Sequence, residues 1–129
     1  MESTSTNLLF ITTDQQRFDS LPCYGLEFLQ TPNLDRLAAE GVVFERCYTP
    51  APVCVPCRAA WMSGQWPSTT GVLSNGQWLD PATPTWPALL GAAGFRTAAI
   101  GKMHFMPWDQ SGGFHERVIA EDKRHVYLP

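Results

Sequence analysis

The chain has 129 residues, 44% of them hydrophobic and 16% charged, with a net charge of −3. This is the balance of one domain at most with a buried core, and it excludes a disordered chain. The mild acidity gives no basic excess for nucleic acid, and no apolar run approaches the length of a membrane span.

Met1–Asn7 lacks the basic segment of a signal peptide, and Leu8–Ile11 is too short for its apolar core, so a cytoplasmic setting is expected. Leu8-Leu9-Phe10-Ile11 reads as a buried parallel strand. It runs into Thr12-Thr13-Asp14-Gln15-Gln16, and open α/β sheets bind ligands beyond the carboxyl ends of their strands. Asp14 there is a hard oxygen donor for calcium or magnesium, or the cap of a turn. Thr31–Gly41 has an N-cap residue, a proline in the first turn and a closing glycine, which predicts a helix. Val42–Tyr48 predicts a strand. Cys54–Gly64 predicts a second helix with Pro56 in its first turn, and Trp86–Ala93, closed by Gly94, a third. Arg96–Gly101 predicts another strand, and from Pro107 onward no periodicity is evident. The alternation predicts an α/β fold with a parallel sheet covered on both faces.

Cys54-Val55-Pro56-Cys57-Arg58 concentrates the chemistry. A cysteine at a helix start meets open N–H groups and the positive end of the dipole, which favour a thiolate or an anion. Arg58 adds a donor fork suited to a tetrahedral oxyanion. Four cysteines, Cys23, Cys47, Cys54 and Cys57, contain one Cys-x-x-Cys, and His104, His115 and His125 are isolated, so zinc is not indicated. A redox pair at Cys54 and Cys57 is the rival reading. Cys23 and Cys47 are read as reduced, buried residues. Trp61, Trp66, Trp78, Trp86 and Trp108 are read mainly as core, with an apolar or sugar pocket as the alternative. Lys102 and His104 point the same way if the strand before them continues, where a cation and an imidazole can hold an oxyanion and protonate a leaving group. Asn75-Gly76 is a turn, or places an amide at a site.

Cys54-x-Pro56-x-Arg58-Ala59-Ala60, with Ser63-Gly64, Trp66-Pro67 and Thr69-Thr70-Gly71 after it, resembles the signature of the type I sulfatases. Gly101-Lys102-Met103-His104 also resembles that family, and Asn75 resembles an amide of its choline-sulfatase-like members. The resemblance implies an alkaline-phosphatase-like, mostly parallel sheet with helices on both faces. It implies that Cys54 is converted to formylglycine by a formylglycine-generating enzyme, and that the hydrated aldehyde attacks sulfur and regenerates through its second hydroxyl. Asp14, Gln15 and the modified Cys54 would bind a divalent cation, Ca2+ foremost with Mg2+ or Mn2+ as alternatives. Arg58 and Lys102 would offset charge on the sulfuryl oxygens, His104 would protonate the departing alkoxide, and Asn75 would help bind a small-molecule sulfate ester.

Two departures accompany the resemblance. Cys57 stands where the motif usually has Ser or Ala, and a bond to Cys54 would block conversion. The family's further metal ligands lie far downstream, and neither Asp109 nor Asp122 follows a clear strand. Residues 1–129 are therefore expected to be the N-terminal portion of a sulfatase catalytic domain, inactive by itself. A phosphonate monoester or phosphodiester hydrolase of the same superfamily, and a non-catalytic fragment with a Cys-x-x-Cys redox pair, are the alternatives.

Overall fold

The computed structural model describes residues 6–26, 28–105, 107 and 109–120. Trp108, Asp122 and His125 lie outside them. The chain divides into two compact units, residues 1–47 and 48–129.

The first unit carries a 3-10 turn, Pro22–Tyr24, and helix α1, Pro32–Glu40. Pro32 opens α1 without forfeiting a hydrogen bond, because its N–H would be unpaired there in any case. The cap differs from expectation: the Thr31 hydroxyl accepts from no backbone N–H and instead donates to the Asp35 carboxylate at 3.2 Å. Tyr24 stacks at a tilt on Phe18, 5.1 Å between centroids, and its hydroxyl donates to the Phe44 carbonyl at 3.1 Å. Arg17 and Asp19 form an exposed forked ion pair, and the guanidinium hydrogen bond holds the Asp19 carboxyl below its ordinary pKa.

Two strand expectations fail here. Residues 8–11 and 42–48 are not strands, and Leu9, Ile11 and Val42 are 82%, 72% and 78% exposed. A strand exists only against a neighbour's backbone groups, and the one ladder among the described residues lies in the second unit. Cys23 and Cys47 are exposed, which corrects their reading as buried: one sits in the 3-10 turn and the other in the unpaired apolar segment.

The second unit is built on helix α2, Cys54–Ser63, which buries Val55, Pro56, Arg58, Ala59, Ala60 and Met62. Gly64 ends it at φ 69°, a left-handed geometry that glycine adopts without steric cost. Val55, Ala59 and Val72 form the centre of the core, with Leu79 against them. Helix α3, Pro67–Thr70, and helix α4, Trp86–Ala92, pack on α2. Small residues at positions 59 and 60 permit close approach to α2. Strand β1, Ala98–Gly101, pairs in parallel with β2, Glu116–Ile119, from Ala98 opposite Glu116 to Gly101 opposite Ile119. The sequence does not announce β2, since Glu-Arg-Val-Ile is short and mixed in polarity. It is defined by its ladder to β1 and by the exposed Arg96–Glu116 ion pair at the entrance.

The turn before β2 is clasped to its surroundings. The Thr85 hydroxyl donates to the Gly112 carbonyl at 2.7 Å. The Thr97 backbone N–H donates to His115 Nδ1 at 3.1 Å, so that nitrogen is an acceptor and His115 has a structural role. Trp86 meets Phe114 edge to face, 5.7 Å between centroids. The Arg117 guanidinium reaches the carbonyls of Asp109, at 2.6 Å, and Gln110. No described helix is long and apolar enough to cross a membrane.

Candidate active site

Cys54 is the first residue of α2. Val53 before it is extended, at φ −119° and ψ 140°, and has no side-chain oxygen to cap the helix. The cap comes instead from elsewhere in the chain: Asn75 Oδ1 accepts from the Val55 N–H at 3.0 Å. Asn75, expected as a ligand-binding amide or as part of a turn, has a structural role here, and the turn, closed by the Gln77 N–H on the Ser74 carbonyl at 3.2 Å, is present.

Two basic side chains meet the start of α2. Lys102 Nζ lies 3.5 Å from Cys54 Sγ. Arg58 sits one turn below Cys54, is 8% exposed, and donates through Nη1 to the backbone carbonyl of Lys102. Its guanidinium carbon is 5.7 Å from the centroid of the Trp61 ring, within cation–π range. The half-buried setting strengthens the electrostatics of both contacts relative to water. Arg58 thus ties the helix that carries Cys54 to the segment that carries Lys102.

The expected alternation of Lys102 and His104 rests on a continuing strand, and this premise fails. The ladder stops at Gly101, at φ 104°, and His104 adopts φ 56°. Lys102 reaches Cys54 because the chain turns there and Arg58 holds its carbonyl. His104 is 3% exposed, at the inner side of the same segment.

Cys57 is not bonded to Cys54, and all four cysteines are free of disulfides. Thr49 uses its hydroxyl proton on the Ala51 carbonyl at 2.8 Å, so Cys57, 3.0 Å from Thr49 Oγ1, is the donor in that contact. Thr49 and Gln77 carry no motif that would have singled them out in the sequence, and the contact of Trp61 with Arg58 is not the role the sequence suggested for it. Trp66 and Trp78 are 69% and 55% exposed, so the core reading fails for both.

Asp14 and Gln15 lie in the first unit, both exposed, with Gln15 in the left-handed region at φ 57°. Their carboxylate and amide oxygens are hard donors of the kind calcium takes. Among the described residues no three His, Cys, Asp or Glu side chains gather into a metal cage.

The sulfatase family model matches residues 6–125. Choline-sulfatase of Rhizobium meliloti is 40% identical over 121 residues, 94% of this chain and 24% of the relative. N-acetylglucosamine-6-O-sulfatase of Bacteroides thetaiotaomicron is 35% identical over 138 residues, 97% of this chain and 25% of the relative. The chain therefore spans about a quarter of the length of these curated relatives. Among solved structures, BT4656 in complex with its substrate D-glucosamine-2-N,6-O-disulfate superposes with a TM-score of 0.79 at 36% identity, covering 86% of this chain and 22% of that one. BT1596, a 2-O GAG sulfatase, superposes with a TM-score of 0.67 at 30% identity, covering 81% and 22%. The α/β arrangement around Cys54 is thus that of a part of these sulfatase structures, and the chain belongs to the sulfatase family.

Proposed function

We propose that these residues form the N-terminal portion of a sulfatase catalytic domain, and that the whole protein hydrolyses small-molecule sulfate esters with a formylglycine derived from Cys54. The observation that carries this reading is the approach of Lys102 Nζ to Cys54 Sγ at 3.5 Å, at the start of a helix whose Arg58 binds the Lys102 carbonyl. Sγ stands where the aldehyde carbon's oxygens would be after modification by a formylglycine-generating enzyme. The modification supplies a hydrated aldehyde nucleophile in place of a thiol.

The residues then divide the work. Lys102 faces the nucleophile and offsets charge that develops on sulfuryl oxygens. Arg58 holds the Lys102 backbone and contributes its positive charge at short range. His104, buried two residues on, protonates the departing alkoxide. Asn75 keeps its amide nitrogen for a sulfate oxygen while its oxygen caps α2. Asp14 and Gln15 would hold a divalent cation, Ca2+ foremost, which supplies Lewis-acid activation. Ca2+ takes about six to eight oxygen donors, so further ligands from the rest of the protein complete the set.

Peptide mass spectrometry across position 54 tests the reading, on full-length protein from the native host or co-expressed with the maturation enzyme. The formylglycine mass is expected. An unmodified thiol, where a control sulfatase is converted, would overturn it. Turnover of matched sulfate and phosphate esters then separates sulfate hydrolysis from the phosphonate and phosphodiester alternative.

A further inference from the structure

The geometry points to Gln77 as a positioning residue for the nucleophile at Cys54, acting through Asn75. The inference rests on the sulfatase reading for its kinetic consequence, but not for its structural one.

Helix starts leave their first N–H groups without intrahelical acceptors, and α2 has no capping side chain of its own. The Val55 N–H, next to the reactive residue, is satisfied by Asn75 Oδ1, 20 positions along the chain. A cap brought from so far is only as steady as the loop that carries it. That loop has little packing: Val72 is 1% exposed, but Leu73 is 64% exposed, and Asn75, Gly76 and Gln77 are exposed. Segments with few buried contacts open at low free energy.

Gln77 compensates for the missing packing. Its Oε1 accepts from the Leu73 N–H at 2.7 Å and the Ser74 N–H at 2.9 Å, with the Ser74 hydroxyl at 3.4 Å. Its own N–H donates to the Ser74 carbonyl at 3.2 Å. Because the partners of both Oε1 of Gln77 and Oδ1 of Asn75 include backbone N–H groups, each amide must present its oxygen there. One side-chain oxygen thus gathers the two amides immediately before Asn75 and closes the turn on which Asn75 sits. The chain of support runs from Gln77 to the turn, to Asn75, to the Val55 N–H, and so to Cys54. Gln77 touches neither Cys54 nor Lys102 in any contact described, so its influence is on placement, not on chemistry.

The experiment uses the full-length, formylglycine-bearing enzyme with Gln77→Leu and Gln77→Glu. Leucine approximates the shape and removes the acceptor, whereas glutamate keeps an acceptor oxygen. Gln77 is exposed, so neither change removes core packing. Readouts are kcat and KM on an aryl sulfate, formylglycine content by mass spectrometry, and amide exchange in peptides containing Val55. Gln77→Leu is expected to lower kcat about tenfold, with KM held within about twofold, and to speed exchange at Val55. Gln77→Glu is expected to recover most of both. Unchanged Val55 exchange, a loss confined to KM, or a glutamate variant no better than leucine would each overturn the assignment. If the unsubstituted enzyme has no activity on sulfate esters, the sulfatase reading fails and Val55 exchange decides the fate of the Gln77 relay by itself.

Discussion

The clasp of the turn before β2 onto α4 makes a quantitative prediction through two glycines with nearly the same backbone. Gly113 has φ 89° and Gly94 has φ 92°, both in the region that side chains rarely adopt. A Cβ at Gly94 meets nothing within 4 Å, whereas one at Gly113 would sit 2.6 Å from the Ala88 nitrogen and 2.7 Å from Ala88 Cβ and Thr85 Oγ1. Gly94→Ala therefore incurs only conformational strain, roughly 1–2 kcal/mol. Gly113→Ala incurs the same strain plus overpacking of roughly 1–3 kcal/mol, for a total of about 2–5 kcal/mol. The neighbours are backbone and the first atoms of side chains, so relief requires moving the turn away from α4. That movement breaks the Thr85–Gly112 hydrogen bond, which is 2.7 Å long. Urea unfolding of full-length protein measures the difference, read at constant m-value. Equal destabilisation by the two substitutions, or a larger effect at Gly94, would refute the close approach as the reason for glycine at position 113.

Lys102→Met removes the cation 3.5 Å from Cys54 Sγ and is expected to lower kcat/KM about 10²-fold with formylglycine content unchanged; a change within about twofold would remove Lys102 from the reaction. Arg58→Lys keeps the charge but not the fork that reaches the Lys102 carbonyl over Trp61, so kcat is expected to fall about tenfold or more, and parity with the unsubstituted enzyme would show that charge suffices. Chelation is expected to abolish turnover of full-length enzyme, with Ca2+ restoring it; full activity after exhaustive chelation would refute the cation role of Asp14 and Gln15. Met62, 1% exposed, is expected to destabilise by about 2–5 kcal/mol on change to alanine, and an effect below that of exposed Leu73→Ala would contradict the core described for α2. Asp19, held below its ordinary pKa by Arg17, contributes stability above the unfolded carboxylate pKa and loses it as pH falls through the lower folded value. Because the pair is exposed, Asp19→Asn is expected to leave the thermal midpoint near neutral pH almost unchanged and to flatten its decline in acid.

Helices α1, α2 and α4 were legible in the sequence because their signals are local, whereas the four-residue α3 was not read. Pro32 and Gly41 bracket α1, Gly64 closes α2, and Gly94 follows the end of α4, each within reach of hydrogen bonds four residues apart. The candidate residues could be picked out for a similar reason: Cys54 and Arg58 share one helical turn, and Gly101-Lys102-Met103-His104 is contiguous. The strands were read less well. Leu8–Ile11 and Val42–Tyr48 have the composition of strands but no ladder among the described residues, whereas the unremarkable Glu116–Ile119 has one. Composition states that a segment suits a sheet; only a second segment's backbone makes it a strand.

The sequence by itself determined which residues are chemically able to act, where α1, α2 and α4 lie, and the family to which the chain is similar. Tertiary structure decided what touches what: Lys102 on Cys54 across 48 positions, Arg58 on the Lys102 carbonyl across 44, and the cap of α2 from Asn75 across 20. It also turned His115 from an isolated histidine into an acceptor for the Thr97 backbone. Such pairings leave no local trace, because the entropy of closing a loop grows only slowly with its length and no short-range pattern selects one distant partner over another. The choice is made by packing of the unit, in which Val55 and Ala59 of α2 are buried against Val72, on the segment that runs on to Asn75.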